Sequence, residues 1–233
     1  MLGALALLLA QTISGTVRVA PVPELAAAPR VKIEKDASVC GKEAARDALV
    51  VGAKGGLANV VVSVRGAAAP ATLAPTAGAA VDQVGCRYTP HVQAVTRGST
   101  LSLLNNDAVL HNVHATTEGS GPAPMTVFNV AMPFKGQKLP TVLRRPGMMK
   151  LRCDAGHTWM SAYVAVFDHP WFAVTDAQGK FSIDARGLGW GTHTLELWHE
   201  PLDDKGKPFV ETRTVELKPA RETVVVDATL DLR

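Results

Sequence analysis

The stretch Cys153-Asp-Ala-Gly-His157-Thr-Trp-Met160 places a thiol, an imidazole and a thioether on one short segment. It directly follows a strand-like run from Met148 to Arg152. Upstream, the segment Leu110-His111-Asn-Val-His114 can supply a second imidazole. Soft ligands gathered on a loop at the end of a strand predict a metal site built into a β fold.

Two histidines and one cysteine, with a weakly bound axial methionine, form the ligand set of mononuclear copper sites that transfer electrons. The sequence therefore predicts copper bound by His111, Cys153 and His157, with Met160 as the axial ligand. His114 is the alternative to His111. Residues three apart on a strand point to opposite faces, so both cannot easily bind one metal. The family resemblance described below implies that His111 is the ligand of the two.

Three other residues are candidates for a place in or around the metal site. His91 is a less favoured ligand candidate. Asn112 follows the first histidine and is expected to tie the two ligand segments together by hydrogen bonds. Trp159 is expected to pack the loop rather than to conduct electrons. No serine–histidine–aspartate motif, phosphate-binding glycine loop or His-Glu-x-x-His sequence is present, so the chain is not predicted to be an enzyme.

The region from Cys86 to Phe167 resembles the cupredoxins, particularly the amicyanin-like and plastocyanin-like proteins. Asn105-Asn-Asp-Ala-Val-Leu-His111-Asn-Val-His114 is close to the family's Asn…His-Asn-Val motif, whose first histidine binds copper. The family's Cys-x-x-His-x-x-Met loop corresponds to Cys153-Asp-Ala-Gly-His157-Thr-Trp-Met160, which has one additional residue between cysteine and histidine. The resemblance implies a Greek-key β-barrel or sandwich that carries copper and exchanges single electrons with a redox partner protein.

The longer cysteine-to-histidine spacing raises a second possibility. The same spacing occurs in the binuclear copper domain of cytochrome oxidase subunit II, but that site also needs a cysteine four positions earlier. Met149 stands there in this chain, so a mononuclear site is predicted. The additional residue corresponds to Ala155 or Gly156, and both are small enough for the loop to accommodate.

A second resemblance covers sequence on both sides of the metal motif. Its fragments match the carboxypeptidase regulatory-like, or transthyretin-like, β-sandwich modules, although a histidine stands where the pattern has an aromatic residue. They are Gly15-Thr-Val17, Leu57-Ala-Asn-Val60, Thr175-Asp-Ala-Gln-Gly-Lys-Phe181 and Gly191-Thr-His-Thr-Leu195. The split match implies that the N-terminal strands join the C-terminal ones, with the metal domain between them.

The predicted architecture is therefore all-β, with a cupredoxin domain and a small second β-sandwich. The boundaries are a signal-like segment at 1–10, N-terminal strands at 11–56, the copper domain at 57–168 and the second sandwich at 169–233. Gly41 to Ala48 is expected to form a turn or two of helix. Trp171–Ile183 is expected to form a hairpin around the turn Asp176-Ala-Gln-Gly179.

Composition sets the broader limits. The chain has 233 residues, of which 47% are hydrophobic, enough for one large or two small cores. The net charge of +3 is too small to indicate nucleic-acid binding. The apolar segment Met1 to Ala10 resembles the core of a secretory signal, which predicts a periplasmic or otherwise exported protein, with any membrane association only through the N-terminus.

The cysteine count supports the same compartment. Of the three cysteines, Cys153 is assigned to metal, which leaves Cys40 and Cys86 as an even pair. A disulfide between them is expected in an oxidising compartment, where it would contribute about 3–4 kcal/mol of stability by closing the loop between them. Two unrelated buried thiols are the alternative. Two other functions also stay open: a copper chaperone or storage module, and a structural or carbohydrate-binding protein with a vestigial metal site.

Overall fold

The computed structural model describes residues 11–20, 30–45, 47–118, 123–202, 206–219 and 222–232. The signal-like segment 1–10 lies outside these ranges. Within them the regular secondary structure is almost entirely strand, with one short α-helix, α1 (Ala37–Cys40), and one 3-10 turn at Ala53–Gly55. The all-β prediction is confirmed. Neither of these helical segments is long and apolar enough to cross a membrane.

In chain order the strands are β1 (Thr12–Val19), β2 (Arg30–Lys32), β3 (Glu43–Ala45), β4 (Val61–Val64), β5 (Ala80–Gln83), β6 (Tyr88–Thr89), β7 (Val92–Thr96), β8 (Thr100–Asn105), β9 (His111–Glu118), β10 (Thr126–Met132), β11 (Gln137–Val142), β12 (Gly147–Arg152), β13 (Ser161–Phe167), β14 (Phe172–Val174), β15 (Lys180–Asp184), β16 (Gly191–His199), β17 (Phe209–Leu217), β18 (Thr223–Val225) and β19 (Ala228–Leu230).

Two sheets form what we call the central sandwich. One has the strand order β10-β9-β12-β13-β7 and the other β11-β8-β5-β6. Their inner faces share one core, to which Leu101 and Leu103 contribute from β8 and Val113 and Leu151 from the opposite sheet. Alternate residues of β8 are buried, as expected for a strand with one face on the core.

Two further sheets form the flanking sandwich. Their orders are β15-β1-β18, with β19 also paired to β1, and β14-β4-β16-β17. Ile13 and Ile183 of the first sheet share a core with Val62 and Leu195 of the second. The N-terminal strand β1 is thus hydrogen-bonded between strands from the C-terminal third of the chain.

The strand pairing corrects one predicted boundary. Residues from 57 onward were assigned to the copper domain, but β4 pairs with β14 and β16 in the flanking sandwich. All four β4 residues are buried. A strand of three valines and one small serine suits a position buried on both faces, and its sequence alone does not indicate which sheet it joins.

The two sandwiches contact each other through β13. Ala162, Val164 and Val166 face the central core, while Tyr163 and Ala165 pack against Val61 and Trp198 from the flanking sandwich. This second contact explains why five consecutive residues of β13 are buried. His91, just before β7, also bonds the Glu200 carboxylate from the end of β16.

Two local predictions were wrong. Gly41 to Ala48 was predicted to be helical, but in its described residues α1 ends before Gly41, which has a φ of 83°, and β3 then pairs with β2. The predicted hairpin is not a strand ladder either, since β14 pairs with β4 and β15 pairs with β1 in the opposite sheet. The turn itself forms, with the Asp176 carboxylate accepting bonds from the Gln178 and Lys180 amides. Turn chemistry therefore predicts the bend, but it does not specify which strand pairs with β14 or with β15.

Candidate metal centre

The candidate ligands come from two segments at the same end of the central sandwich. His111 is the first residue of β9, and Cys153 directly follows the last residue of β12. β9 and β12 are antiparallel neighbours, with Arg152 opposite His114, so the start of one lies beside the end of the other. His157 lies on the loop that leads from β12 to β13, and the Met160 amide closes this loop by donating to the His157 carbonyl at 2.9 Å.

His111, Cys153 and His157 form a compact buried group. Their nearest ligand atoms all lie within 4.8 Å of one another. The two Nδ1 atoms are 2.9 Å apart, and the Cys153 sulfur lies 3.6 Å from His157 Nδ1 and 3.9 Å from His111 Nδ1. Both imidazoles have no exposed surface, and Cys153 is 5% exposed. Three donor atoms therefore converge on one point that solvent does not reach.

Each imidazole is held from its outer side by a carboxylate. His111 Nε2 lies 2.9 Å from Asp107 Oδ2, and His157 Nε2 lies 2.9 Å from Asp36 Oδ2. A carboxylate at Nε2 favours the tautomer that carries its proton there and leaves Nδ1 as a lone pair. Two such lone pairs facing each other repel unless a cation lies with them. The donor set thus fits a bound metal ion.

Sequence reasoning missed both carboxylates. Asp107 lies four residues before His111, within the motif that drew attention to the histidine. Asp36 is 121 residues from His157 and gave no local signal. Asp107 also accepts hydrogen bonds at 2.8 Å from the amides of Gly85 and Cys86, which fixes its carboxylate in place.

The surroundings of the Cys153 sulfur act on its pKa in opposite directions. Burial raises the pKa of the Cys153 thiol, and the nearby Asp154 charge acts in the same direction. Backbone amides of Asn112, Ala155 and His157 hydrogen-bond to the sulfur and lower its pKa, but they do not outweigh burial. Amide donors of this kind stabilise a thiolate once a cation offsets the cost of burying its charge.

Asn112 ties the two ligand segments together, as the sequence predicted. Its side-chain oxygen accepts bonds from the amides of Asp154 at 2.6 Å and Ala155 at 3.1 Å. Its side-chain nitrogen donates to Asn129 on the neighbouring strand at 2.7 Å. Asn112, which directly follows His111, therefore fixes the two residues that directly follow Cys153.

Met160 and Trp159 lie at the far end of the ligand loop. Met160 is buried in the same core cluster as Cys153, and its axial role stays a prediction. The Trp159 ring packs edge-on against His157 at 5.3 Å between centroids, and its indole donates to the Cys86 carbonyl at 3.0 Å. Trp159 therefore packs the loop, as predicted.

His114 and His91 do not join this group of ligand atoms. His114 Nδ1 lies 2.5 Å from the Asp154 carboxylate, and its Nε2 lies 2.8 Å from the Thr126 hydroxyl. His91 instead contacts Glu200 and the Ser161 carbonyl. His111 is the histidine of its pair that faces Cys153, as expected for residues three apart on one strand.

A second trio, Cys86, Asp107 and His111, also brings its ligand atoms within 4.8 Å of one another. It does not offer a metal site of its own. Cys86 forms the predicted disulfide with Cys40, so its sulfur is not available as a thiolate. Cys153 is the free cysteine of the chain.

No protein-family model and no curated protein sequence matched this chain. Among solved structures, a purple cupredoxin from Nitrosopumilus maritimus is 23% identical, over 38% of this chain and 98% of that one, with a TM-score of 0.32. An amicyanin variant in its reduced Cu(I) form at pH 4 is 24% identical over 45% and 97%, with a TM-score of 0.33. A copper-containing nitrite reductase from Thermus scotoductus SA-01 is 21% identical over 43% of this chain and 24% of its own length, with a TM-score of 0.32.

Proposed function

We propose that this protein is a one-electron carrier whose mononuclear copper is bound by His111, Cys153 and His157, with Met160 as the axial ligand. The observation that carries the proposal is the convergence of two imidazole Nδ1 atoms and one sulfur within 4.8 Å at a fully buried point. Soft thiolate and imidazole ligands suit copper in both of its common oxidation states.

The surrounding residues support electron transfer because they restrain the ligands. Asp107 and Asp36 hold the outer nitrogens of the two imidazoles, and Asn112 holds the loop that carries Cys153. Copper, when bound, supplies a couple that exchanges one electron. Ligands fixed by their own hydrogen bonds move little when the charge of the site changes, which lowers the cost of each transfer.

We further propose that the protein works outside the cytoplasm with a redox partner protein. The Cys40–Cys86 disulfide supports this location, because such bonds persist in oxidising compartments and are rare in the cytosol. A carrier of single electrons needs a donor and an acceptor. In this role the donor and the acceptor are proteins, and no substrate is converted at the metal centre.

The experiment is copper titration of the purified protein, followed by spectroelectrochemistry. We expect one copper per chain, an intense thiolate-to-copper absorption band in the oxidised form and reversible one-electron cycling. His111→Gln and Cys153→Ala should each abolish the band. His114→Gln is the matched control, because His114 lies nearby but bonds Asp154 instead, and it should leave the band in place.

Other outcomes separate the alternatives. One copper per chain without reversible cycling would indicate a storage or chaperone module. Failure to bind stoichiometric copper under either reducing or oxidising conditions would overturn the proposal and favour a structural protein.

A further inference from the structure

Residues 30–45 form a small unit that we call the cap segment. β2 and β3 pair with each other and, in the described part of the chain, with no other strand. The connection between them contains α1, and the Ile33 amide donates to the Lys42 carbonyl at 2.9 Å. An isolated two-stranded hairpin is at best marginally stable in water, so the cap segment depends on its attachment to the central sandwich.

The cap segment lies directly over the ligand loop. Asp36 Oδ2 is 2.9 Å from His157 Nε2, and the Lys35 ammonium donates to the Ala155 carbonyl. A Cβ added to Gly156 would lie 2.9 Å from Lys35 Cδ, too close for an ordinary contact. The Lys35 side chain therefore packs directly against Gly156 of the longer cysteine-to-histidine loop.

One covalent bond holds the cap segment in this position. Cys40, the last residue of α1, is joined to Cys86, and the Cys40 amide donates to the Asp36 carbonyl at 2.9 Å. On the other side of the disulfide, the Cys86 amide donates to Asp107, whose carboxylate contacts His111. The disulfide therefore connects the short segment that carries Asp36 to the residue whose amide holds the Asp107 carboxylate.

We propose that the cap segment is a disulfide-held gate over the metal centre and that Asp36 is the positioning residue through which it acts on His157. This inference rests on the proposed copper function. With the cap segment in place, His157 has no exposed surface, so copper enters or leaves only after the cap segment lifts. The protein therefore retains its metal in an oxidising compartment.

Reduction of the disulfide opens the gate. A dithiol reductant would give up two electrons and two protons, becoming a disulfide while Cys40 and Cys86 become thiols. The cap segment then keeps only non-covalent contacts, chiefly the buried side chains of Ile33 and Ala44, the bonds from Asp36 to His157 and from Lys35 to Ala155, and the adjoining Arg87–Asp47 ion pair. Copper exchange should accelerate as a consequence.

The test measures how fast a chromophoric Cu(I) chelator removes copper from the loaded, reduced protein. Because thiol reductants themselves bind copper, the Cys40→Ala/Cys86→Ala double variant replaces chemical reduction of the disulfide. We expect the double variant to lose copper about tenfold faster or more, comparable to the effect of removing partners that orient metal ligands. Asp184→Asn, a change in an exposed carboxylate of the flanking sandwich, should exchange at the wild-type rate.

A pair of variants at Asp36 keeps the proposal testable if the double variant does not fold. Asp36 has a φ of 54°, a conformation that glycine and asparagine both tolerate, so neither substitution strains the backbone. Asp36→Gly removes the contact with His157 and should also accelerate exchange. Asp36→Asn keeps a hydrogen-bond acceptor without charge, so exchange should stay near wild type while the reduction potential rises, because a negative charge beside the site favours Cu(II).

The outcomes distinguish the gate from the copper site itself. If the wild-type protein does not bind copper through His111 and Cys153, the proposed function fails. If it binds copper, but Asp36→Gly and the double variant release it within twofold of the wild-type rate, the gate alone is overturned.

Discussion

A buried threonine of the flanking sandwich and a buried histidine pair of the central sandwich make different kinds of contact. In the flanking sandwich, the Thr175 hydroxyl donates to the Leu57 carbonyl and accepts from the Val60 amide, a local tie between backbone segments. In the central sandwich, His111 and His157 face each other at one end of the core, each with a carboxylate behind it. A buried side chain that hydrogen-bonds to backbone groups stabilises the fold. Buried side chains whose donor atoms converge on one point can bind a metal ion.

The largest effects are expected from a matched pair of core truncations, one in each sandwich. Leu195 of the flanking sandwich and Leu151 of the central sandwich are both fully buried. Each Leu→Ala change should lower the free energy of unfolding by about 2–5 kcal/mol, from lost burial and the cavity left behind. Urea denaturation measures this loss.

The two variants should differ in their copper spectra. Leu151 lies two residues before Cys153, so Leu151→Ala should broaden or shift the thiolate-to-copper band. Leu195→Ala should leave the band of the folded protein unchanged. An altered band in Leu195→Ala with an unaltered one in Leu151→Ala would contradict the separation of roles between the sandwiches.

Changes to the carboxylates around the site should have a smaller effect on stability. Asp107 bonds His111 and two backbone amides, so Asp107→Asn should cost about 1–3 kcal/mol and weaken copper binding roughly 10–100-fold. Competition with a chelator of known affinity measures the second effect. Asp154→Asn is the matched control, since Asp154 contacts His114 and Arg152 rather than a ligand imidazole. Equal copper affinities for the two variants would count against a specific role of Asp107.

The smallest effect is expected where the two sandwiches meet. Burial lowers the pKa of His91, but its bond to Glu200 and the charges of Glu200 and Asp47 outweigh burial and raise the pKa above 6.5. Protonated His91 therefore stabilises the folded state fully below about pH 6.5, and this contribution is lost as the pH rises through the folded-state pKa.

The difference in free energy of unfolding between the wild type and His91→Gln isolates this contribution. It should shrink as the pH rises from 6, in urea denaturation at a series of pH values. His199, whose pKa burial lowers, is present in both proteins and contributes to both curves. A difference that is constant or grows with pH would show that the His91–Glu200 pair does not titrate as described.

The parts of the structure that the sequence predicted are those with local signals. His111, Cys153 and His157 lie in motifs at strand ends, and the structure brings these three together. Asn112 was predictable because it adjoins a ligand. Assigning Cys153 to metal left Cys40 and Cys86 as a pair, and the disulfide between these two cysteines confirms that pairing.

The parts that escaped prediction depend on contacts between distant segments. Asp36 meets His157 across 121 residues, and only the folded cap segment reveals the pair. β4 is buried on both faces in the flanking sandwich, and its valine-rich sequence does not specify which sheet it joins. The turn at Asp176 was recognised, but the sheets of β14 and β15 depend on the assembled cores.

X-ray absorption at the copper edge tests the central claim most directly, because it reports the atoms bound to copper. We predict one sulfur and two imidazole nitrogens at short distance in both Cu(I) and Cu(II) forms, with little change between them, and loss of the sulfur contribution in Cys153→Ala. A copper environment without short sulfur scattering, or one that gains or loses ligands between oxidation states, would contradict electron transfer through a site formed by His111, Cys153 and His157.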